Sequence, residues 1–284
     1  MSARIELRSV ARWLDNHATP EDGDPRGIDW LRVVPYLALH AGCLGVLWVG
    51  VSLSAVLVAL ALYAVRMFAV TAFYHRYFSH RAFKASRAAQ FIFATLAATA
   101  VQRGPLWWAS HHRHHHAYSD QPGDAHSGRH HGFLWSHVGW FLARENFAAR
   151  TAHVADLARY PELRFLDRFD ALVPAALGIA LYAAGGMQFV VWGLCISTIV
   201  LHHATFTINS LAHRFGSRRY VTRDDSRNNF WLALLTFGEG WHNNHHHRPG
   251  SARQGERWWE IDLTWYGLYV LAALGLIWDL KERP

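Results

Sequence analysis

Charge is what this sequence has least of. Asp, Glu, Lys and Arg make up 17% of its 284 residues, where a soluble domain carries about a quarter, so an ordinary soluble domain is excluded. Cysteine is nearly absent. Cys43 and Cys195 both fall inside apolar runs, which excludes a disulfide framework and a thiolate metal site and leaves two small buried hydrophobes. No Gly or Pro interrupts Val51 to Gln90, so a helix entering that stretch is expected to continue past the apolar part. Residues 1–32 mix Arg, Glu and Asp with no hydrophobic core; a cleavable targeting segment is therefore not expected, and a short amphipathic piece near Ile5 to Leu14 is expected at the surface. No basic helix stands apart from the apolar segments, which argues against nucleic acid as a partner. The net charge of +7 suits a face held against anionic lipid.

Apolar residues are what fills the space. They reach 51%, with 14 Trp, 16 Phe and 10 Tyr. Val33–Val49 and Ser52–Phe73 are long enough, or nearly so, to cross about 30 Å of hydrocarbon, with only Gly50 and Val51 between them. Ala171–Ala184 and Met187–Ile208 form a second such pair around Gly185-Gly186. Both turns lack Lys and Arg while the opposite flanks are rich in them, so four spans with both termini cytosolic satisfy the positive-inside rule. Ala88–Val101 is too short to cross and reads as an embedded helix lining a cavity; Phe230–Phe237 and Leu263–Trp278 read as interfacial helices. Arg66 sits inside the second span, where an interfacial arginine and a functional one are equally good readings. The expected fold is all-α: an integral membrane four-helix unit under a cytosolic helical cap. Its parts are a cytosolic segment (1–32), a transmembrane hairpin (33–74), a first part of the cap (75–168), a second hairpin (169–209) and the rest of the cap (210–284).

Histidine is the second abundance, with 21 residues, and its placement carries the chemistry. His75 and His80 follow the second span at a spacing of five, which is not the stacking of an ordinary helical pair and places one of them on a distorted or ending turn. His112, His115 and His116 present i,i+3 and i,i+4 neighbours, and His242, His245 and His246 repeat that pattern, so each helix is expected to aim three imidazoles at one point. Asn209 and His213 stack one turn apart at the end of the fourth span; His213 is expected to bind metal directly and Asn209 through water. His111, His114 and His247 point elsewhere, and His202 and His203 read as packing or lining residues. So many imidazoles suit iron, copper or zinc, while calcium and magnesium want oxygen ligands. A structural zinc needs only four ligands, hence two ions. Asp120, Asp124, Glu239 and Asp262 are the acids available to orient the free ring nitrogens.

These residues resemble the membrane fatty acyl desaturases of the stearoyl-CoA desaturase family, in its bacterial form without a fused cytochrome domain. The likeness runs from the first span to Trp278. It rests on H-x-x-x-x-H at His75/His80, H-R-x-H-H at His112/Arg113/His115/His116, N-S-x-x-H at Asn209/His213 and G-E-G-x-H-N-x-H-H at Gly238 to His246. The resemblance implies a non-haem di-iron centre on nine histidines: His75, His80, His112, His115, His116, His213, His242, His245 and His246. It further implies a kinked acyl tunnel, O2 as co-substrate, electrons from a separate ferredoxin, cytochrome or flavoprotein, and a bacterial inner membrane location. Gln102, Trp108 and Thr205 match positions that grip the acyl chain at its bend. Arg103, Ser110 and His111 stand where the animal enzymes hold the CoA headgroup, and Arg144-Glu145 where they have Arg-Lys, so Arg103 and Arg144 are the expected headgroup contacts. Long-chain acyl-CoA desaturated at delta-9 is the favoured reading, with acyl carrier protein, phospholipid and a hydroxylase or monooxygenase reaction as alternatives. Tyr63, twelve residues before His75 and just over three turns away, lies about 18 Å deeper on a helix, roughly on the side of the metals; a floor of the tunnel and a place against lipid in the outer aromatic belt are both open readings of it.

Overall fold

A computed structural model describes residues 15–16 and 24–282; the surface piece expected at Ile5–Leu14 lies outside the described residues. Helix α1, Trp30–Cys43, starts at Asp29, whose carboxylate accepts from Arg32 N. A short helix, Val46–Val49, follows, and Gly50 turns the chain at φ 67°. Ser52 then caps α2, Leu53–Phe68, by accepting from Ala55 N at 3.2 Å. Beyond α2 the chain widens into π-type turns over Ala69–Ser79. The helix thus continues past the apolar part, which ends at Phe73, as the missing Gly and Pro suggest, and stops at Ser79, two residues before Arg81 adopts a left-handed φ of 52°. The wide turns account for the five-residue spacing: bonds from i to i+5 bring residues five apart onto one side, and His80 N donates to His75 O at 3.2 Å.

Helix α3, Arg87–Ala98, is capped by Ser86. The linker to α4, Pro105–Tyr118, carries positive φ at Val101 (58°) and Arg103 (67°), a conformation that costs about 1–3 kcal/mol per residue for side chains of this kind. Gly104-Pro105 then starts α4 with proline where no amide donor is needed. Helix α5, Leu172–Phe189, is broken at Gly185 (ψ 24°) and Gly186 (φ 62°). The chain reverses there, since Gly178 lies against Leu194 and Gly193 against Leu181. The returning limb runs through π-type turns Val190–Ile196 into α6, Ser197–Ser210.

Among the described residues, three stretches can cross a membrane by length and composition: Arg32–Val49, Leu53–Ser79 and Leu172–Ser210, the third containing the glycine reversal. The two glycine turns meet at one end of the bundle, where Gln188 Nε2 donates to Val49 O and Trp192 Nε1 to Gly50 O. The histidine clusters occupy the other end. There α7 (Phe230–Leu235), α8 (His242–His247) and α9 (Leu263–Ala273) complete the cap. The cap is not purely helical: β1, Lys84–Ala85, pairs antiparallel with β2, Ile277–Trp278. Lys281 N donates to Ala82 O and Ala252 N to Lys281 O, so the last residues stitch the segment after His80 to the segment after α8.

Arg66, on α2, is fully buried between the returning limb and the end of α3. Its guanidinium donates to Thr198 Oγ1 and Ser197 Oγ (both 2.6 Å), Gly193 O (2.9 Å), Thr99 O (3.3 Å) and Leu62 O (3.1 Å). The planar fork, with donors on three nitrogens, is what lets one side chain serve so many acceptors. Arg66→Leu should lower stability by at least about 3 kcal/mol, since each buried acceptor left unpaired costs about 1 kcal/mol or more. Thermal unfolding in detergent measures it, and an unchanged midpoint would show that the network carries no stability.

Candidate metal centre

The nine sequence-identified histidines converge as two groups. His75, His80, His112, His116 and His245 form one, and His115, His213, His242 and His246 the other. Each helix therefore divides its imidazoles. His112 and His116, one turn apart on α4, serve the first group while His115 serves the second; on α8, His242 and His246 serve the second and His245 the first. The expectation that each helix aims three rings at one point is corrected by this alternation, which follows from the 100° step between successive helical residues. Arg113 fixes α4 against the end of the wide turns: its guanidinium donates to Ser79 O, Phe78 O and the Asp156 carboxylate at 2.7–2.9 Å. Burial would raise the Asp156 carboxyl, but Arg113 and Arg81 hold it down at about 2.

The ring nitrogens face one another. Nε2 to Nε2 separations are 3.1 Å for His75–His245, 2.8 Å for His80–His112, 3.0 Å for His112–His116, 2.9 Å for His116–His245 and 3.0 Å for His213–His242. Imidazole nitrogens about 2.1 Å from a transition metal stand about 3 Å apart when adjacent, so the spacing fits. Carboxylates lie behind four of the rings. His75 Nδ1 meets Glu239 at 2.5 Å, His115 Nδ1 meets Asp124 at 3.0 Å, His213 Nδ1 meets Asp120 at 2.7 Å and His246 Nδ1 meets Asp224 at 2.8 Å. A ring that donates Nδ1–H outward presents an Nε2 lone pair inward. His246 Nε2 is buried with no partner among the described residues, an orphan lone pair that a cation would satisfy.

Electrostatics agree with this arrangement. Burial, and then repulsion from neighbouring imidazoles, pushes His80, His112, His116, His242 and His245 well below the ordinary histidine value. His246 falls to about 4, chiefly through burial. Burial opposes ionisation of Asp120, Asp124 and Asp224, yet their histidine partners and hydrogen bonds hold all three below the usual carboxylate range. Burial opposes charging of His115 too, but Asp124, with Asp120 and Asp224, outweighs it and raises that ring; ring nitrogens inside and carboxylates outside make the donor set a divalent transition metal needs.

Three of the four proposed orienting acids stand behind a ligand. Asp262 stands one layer further out, binding Arg76 at 2.9 and 3.1 Å, and Arg76 in turn donates to Glu239 at 3.2 Å. Two residues were missed. Asp224 sits in a polar loop with no periodicity to mark it. His126 stacks on His115 with ring centroids 4.3 Å apart, beside Asp124, and only the His-Asp-rich run around it offered a signal. His111 and His114 face backbone carbonyls, of Ala148 and Gly123, and His247 stacks on Tyr220 at 3.9 Å.

A cavity of about 540 Å³ reaches the centre, with His112 of the first group and Asn209 in its wall. Trp108, Gln102 and Thr205 line it as a connected set: Trp108 Nε1 donates to Gln102 Oε1 at 3.2 Å, and Gln102 Nε2 to Thr205 Oγ1 at 2.7 Å. Trp108 also stacks on His112. The strained linker residues Val101 and Arg103 flank Gln102 in the same wall. Tyr63 lies elsewhere: its hydroxyl donates to Leu235 O at 2.6 Å and its ring packs edge-on against Phe237, while Leu39 and Leu194 form the wall furthest from the histidines. At the headgroup positions Ser110 and His111 are buried. Arg103 donates to Phe147 O at 2.7 Å and lies 3.8 Å from Asp170. Arg144 contacts Asp24 O, away from the cavity.

The fatty acid desaturase family model matches residues 29–277. The sn-1 stearoyl-lipid 9-desaturase of Anabaena variabilis is 38% identical over 261 residues, 89% of this chain and 94% of that protein. The chloroplastic palmitoyl-monogalactosyldiacylglycerol delta-7 desaturase of Arabidopsis thaliana is 42% identical over 203 residues, and the icosanoyl-CoA 5-desaturase of Limnanthes douglasii 41% over 203. The matched part is 70% of this chain in both cases, but only 54% and 57% of those plant proteins. Replacing Asp120 or Asp224 by Asn should weaken metal retention about 10–100-fold with all nine histidines intact. Metal content after graded chelation tests this; wild-type retention would mean the carboxylates do not orient their rings.

Proposed function

Since the chain belongs to the fatty acid desaturase family, we propose that it inserts a double bond into a saturated acyl chain carried by a membrane glycerolipid. The reaction removes one hydrogen from each of two neighbouring methylenes; with O2, two electrons and two protons it yields the alkene and two waters. The observation that carries this reading is the cavity whose wall includes His112. Iron is the metal proposed, held as one ion in each histidine group, and when bound it supplies the activation of O2 that hydrogen removal needs. Trp108, Gln102 and Thr205 hold the chain beside His112, and the bend at Val101–Arg103 sets where along the chain the reacting carbons stop. Asn209, in the cavity wall, reaches a metal through a bridging water. The electrons come from a separate ferredoxin, cytochrome or flavoprotein.

The carrier is where this reading departs from acyl-CoA. Two of the relatives above are named for lipid-linked chains, and the side chains at the CoA headgroup positions are buried or engaged with protein groups. The delta-9 position stays part of the proposal. So does a four-span topology with both glycine turns outside and the histidine end in the cytosol of a bacterium, supported by the absence of charge at Gly50 and Gly185-Gly186. The limb Leu172–Ala184 is about 20 Å long at 1.5 Å per residue and reaches across with tilt and local thinning of the bilayer.

Purified enzyme with a reducing system and vesicles of stearoyl glycerolipid should yield a lipid-linked alkene containing no added oxygen, read by mass spectrometry. An alcohol as product would instead establish a hydroxylase. For topology, cysteines placed at Gly50 and Gly186 should react with a membrane-impermeant label from outside and one at Gln121 should not; external labelling at 121 would overturn the four-span arrangement.

A further inference from the structure

The cavity is not closed on its membrane side. Helices α1 and α5 both pack on the Val190–Ile196 stretch and hardly on each other. At the glycine-turn end small residues bring α1 and the segment after it close onto that stretch: a Cβ on Gly42 would stand 2.7 Å from Cys195 Sγ, and one on Gly45 2.8 Å from Val191 Cγ2. Toward the histidine end, among the described residues, α1 and α5 pack little on each other, and the space between them belongs to the cavity. Its walls there are Pro35 and Ala38 on α1 and Pro174 and Ala175 on α5. Pro35, Ala38 and Ala175 line the cavity and are exposed at the same time, so this wall is an opening. It lies within the stretches apolar and long enough to cross a bilayer, near their histidine-side ends, and the four side chains are apolar.

We propose that this slot is the entrance for substrate: an acyl chain still esterified to a bilayer glycerolipid slides sideways between α1 and α5 until its middle methylenes lie beside Trp108 and His112. The inference rests on the desaturase reading and deepens it by naming the carrier and the route. Lateral entry suits the chemistry of the walls. An acyl chain in the bilayer passes from one apolar surrounding to another and leaves no polar group unsatisfied on the way. A thioester arriving from water would need cations for its phosphates, and the Arg103 guanidinium at that end is already held by Phe147 O and Asp170. Leu39 and Leu194, deepest in the wall, are then the stop against which the methyl end rests.

The test uses the full-length enzyme in vesicles of 1-stearoyl-2-oleoyl phosphatidylglycerol and the matching monogalactosyldiacylglycerol. Ala38→Trp and Ala175→Trp each fill the slot and should lower desaturation of the lipid-bound stearoyl chain tenfold or more, at wild-type iron content and melting temperature. Ala180→Trp, exposed on α5 but off the cavity wall, should turn over at the wild-type rate. Independently of activity, a glycerolipid bearing a mid-chain diazirine should crosslink on illumination to peptides containing residues 35–39 and 171–175 of the wild-type protein. Wild-type rates in both slot variants, or crosslinks confined to other faces of the bundle, overturn lateral entry. Conversion of added stearoyl-CoA without conversion of glycerolipid also overturns it and leaves the desaturase reading standing. No alkene from either carrier brings down the desaturase reading itself.

Discussion

Nine imidazoles whose lone pairs converge in a buried space repel one another unless a cation lies between them, and the cap is built around that constraint. The rings approach to about 3 Å because their backs are held. Glu239, Asp124, Asp120 and Asp224 accept Nδ1–H from four of them, and those carboxylates are themselves buried and hydrogen-bonded. Arg76 bridges Glu239 and Asp262. Asp124 accepts from Asp120 N, and Asp120 from Ser127 Oγ and Asp225 N. The polar shell thereby turns two loops with little secondary structure, 119–127 and 214–228, into rigid supports.

The two metal groups share helices instead of owning them. Because α4 and α8 each contribute to both groups, the groups cannot move apart without unwinding a helix, and one ring pair one turn apart remains on each side of the divide. The same interleaving joins the membrane bundle to the cap. His75 belongs to the wide turns that end α2, His213 follows α6, and Arg113 clamps α4 to the carbonyls just before His80. Chemistry at the centre is therefore referenced to the helices that wall the acyl cavity, and Trp108, stacked on His112, is the point where the two meet.

Much of this was legible in the sequence because it is written in spacing. The apolar runs give the crossing segments, the glycine pairs give the reversals, and H-x-x-H-H can only be read as rings on neighbouring helical faces. What could not be read follows from tertiary contacts that leave no periodic trace. The split of His112 and His116 from His115 depends on which partner helix lies on each side. Asp224 looks like any loop aspartate until the fold sets it behind His246. Depth and a count of just over three helical turns put Tyr63 roughly on the side of the metals, but the remaining rotation about the helix axis turns it toward Phe237 and away from the cavity. The end of the helix at Ser79 was hidden because Arg81, an ordinary residue, takes a left-handed conformation that sequence usually reserves for glycine.

The central claim is that the histidines make two separate metal positions, and metal stoichiometry measures this directly. Iron-loaded wild-type protein should hold two irons per chain. His213→Ala, which removes a ligand only from the second group, should lose one iron and keep the other, as should His80→Ala for the first. A single iron in the wild type, or loss of both irons from either variant with the fold intact, would contradict the account.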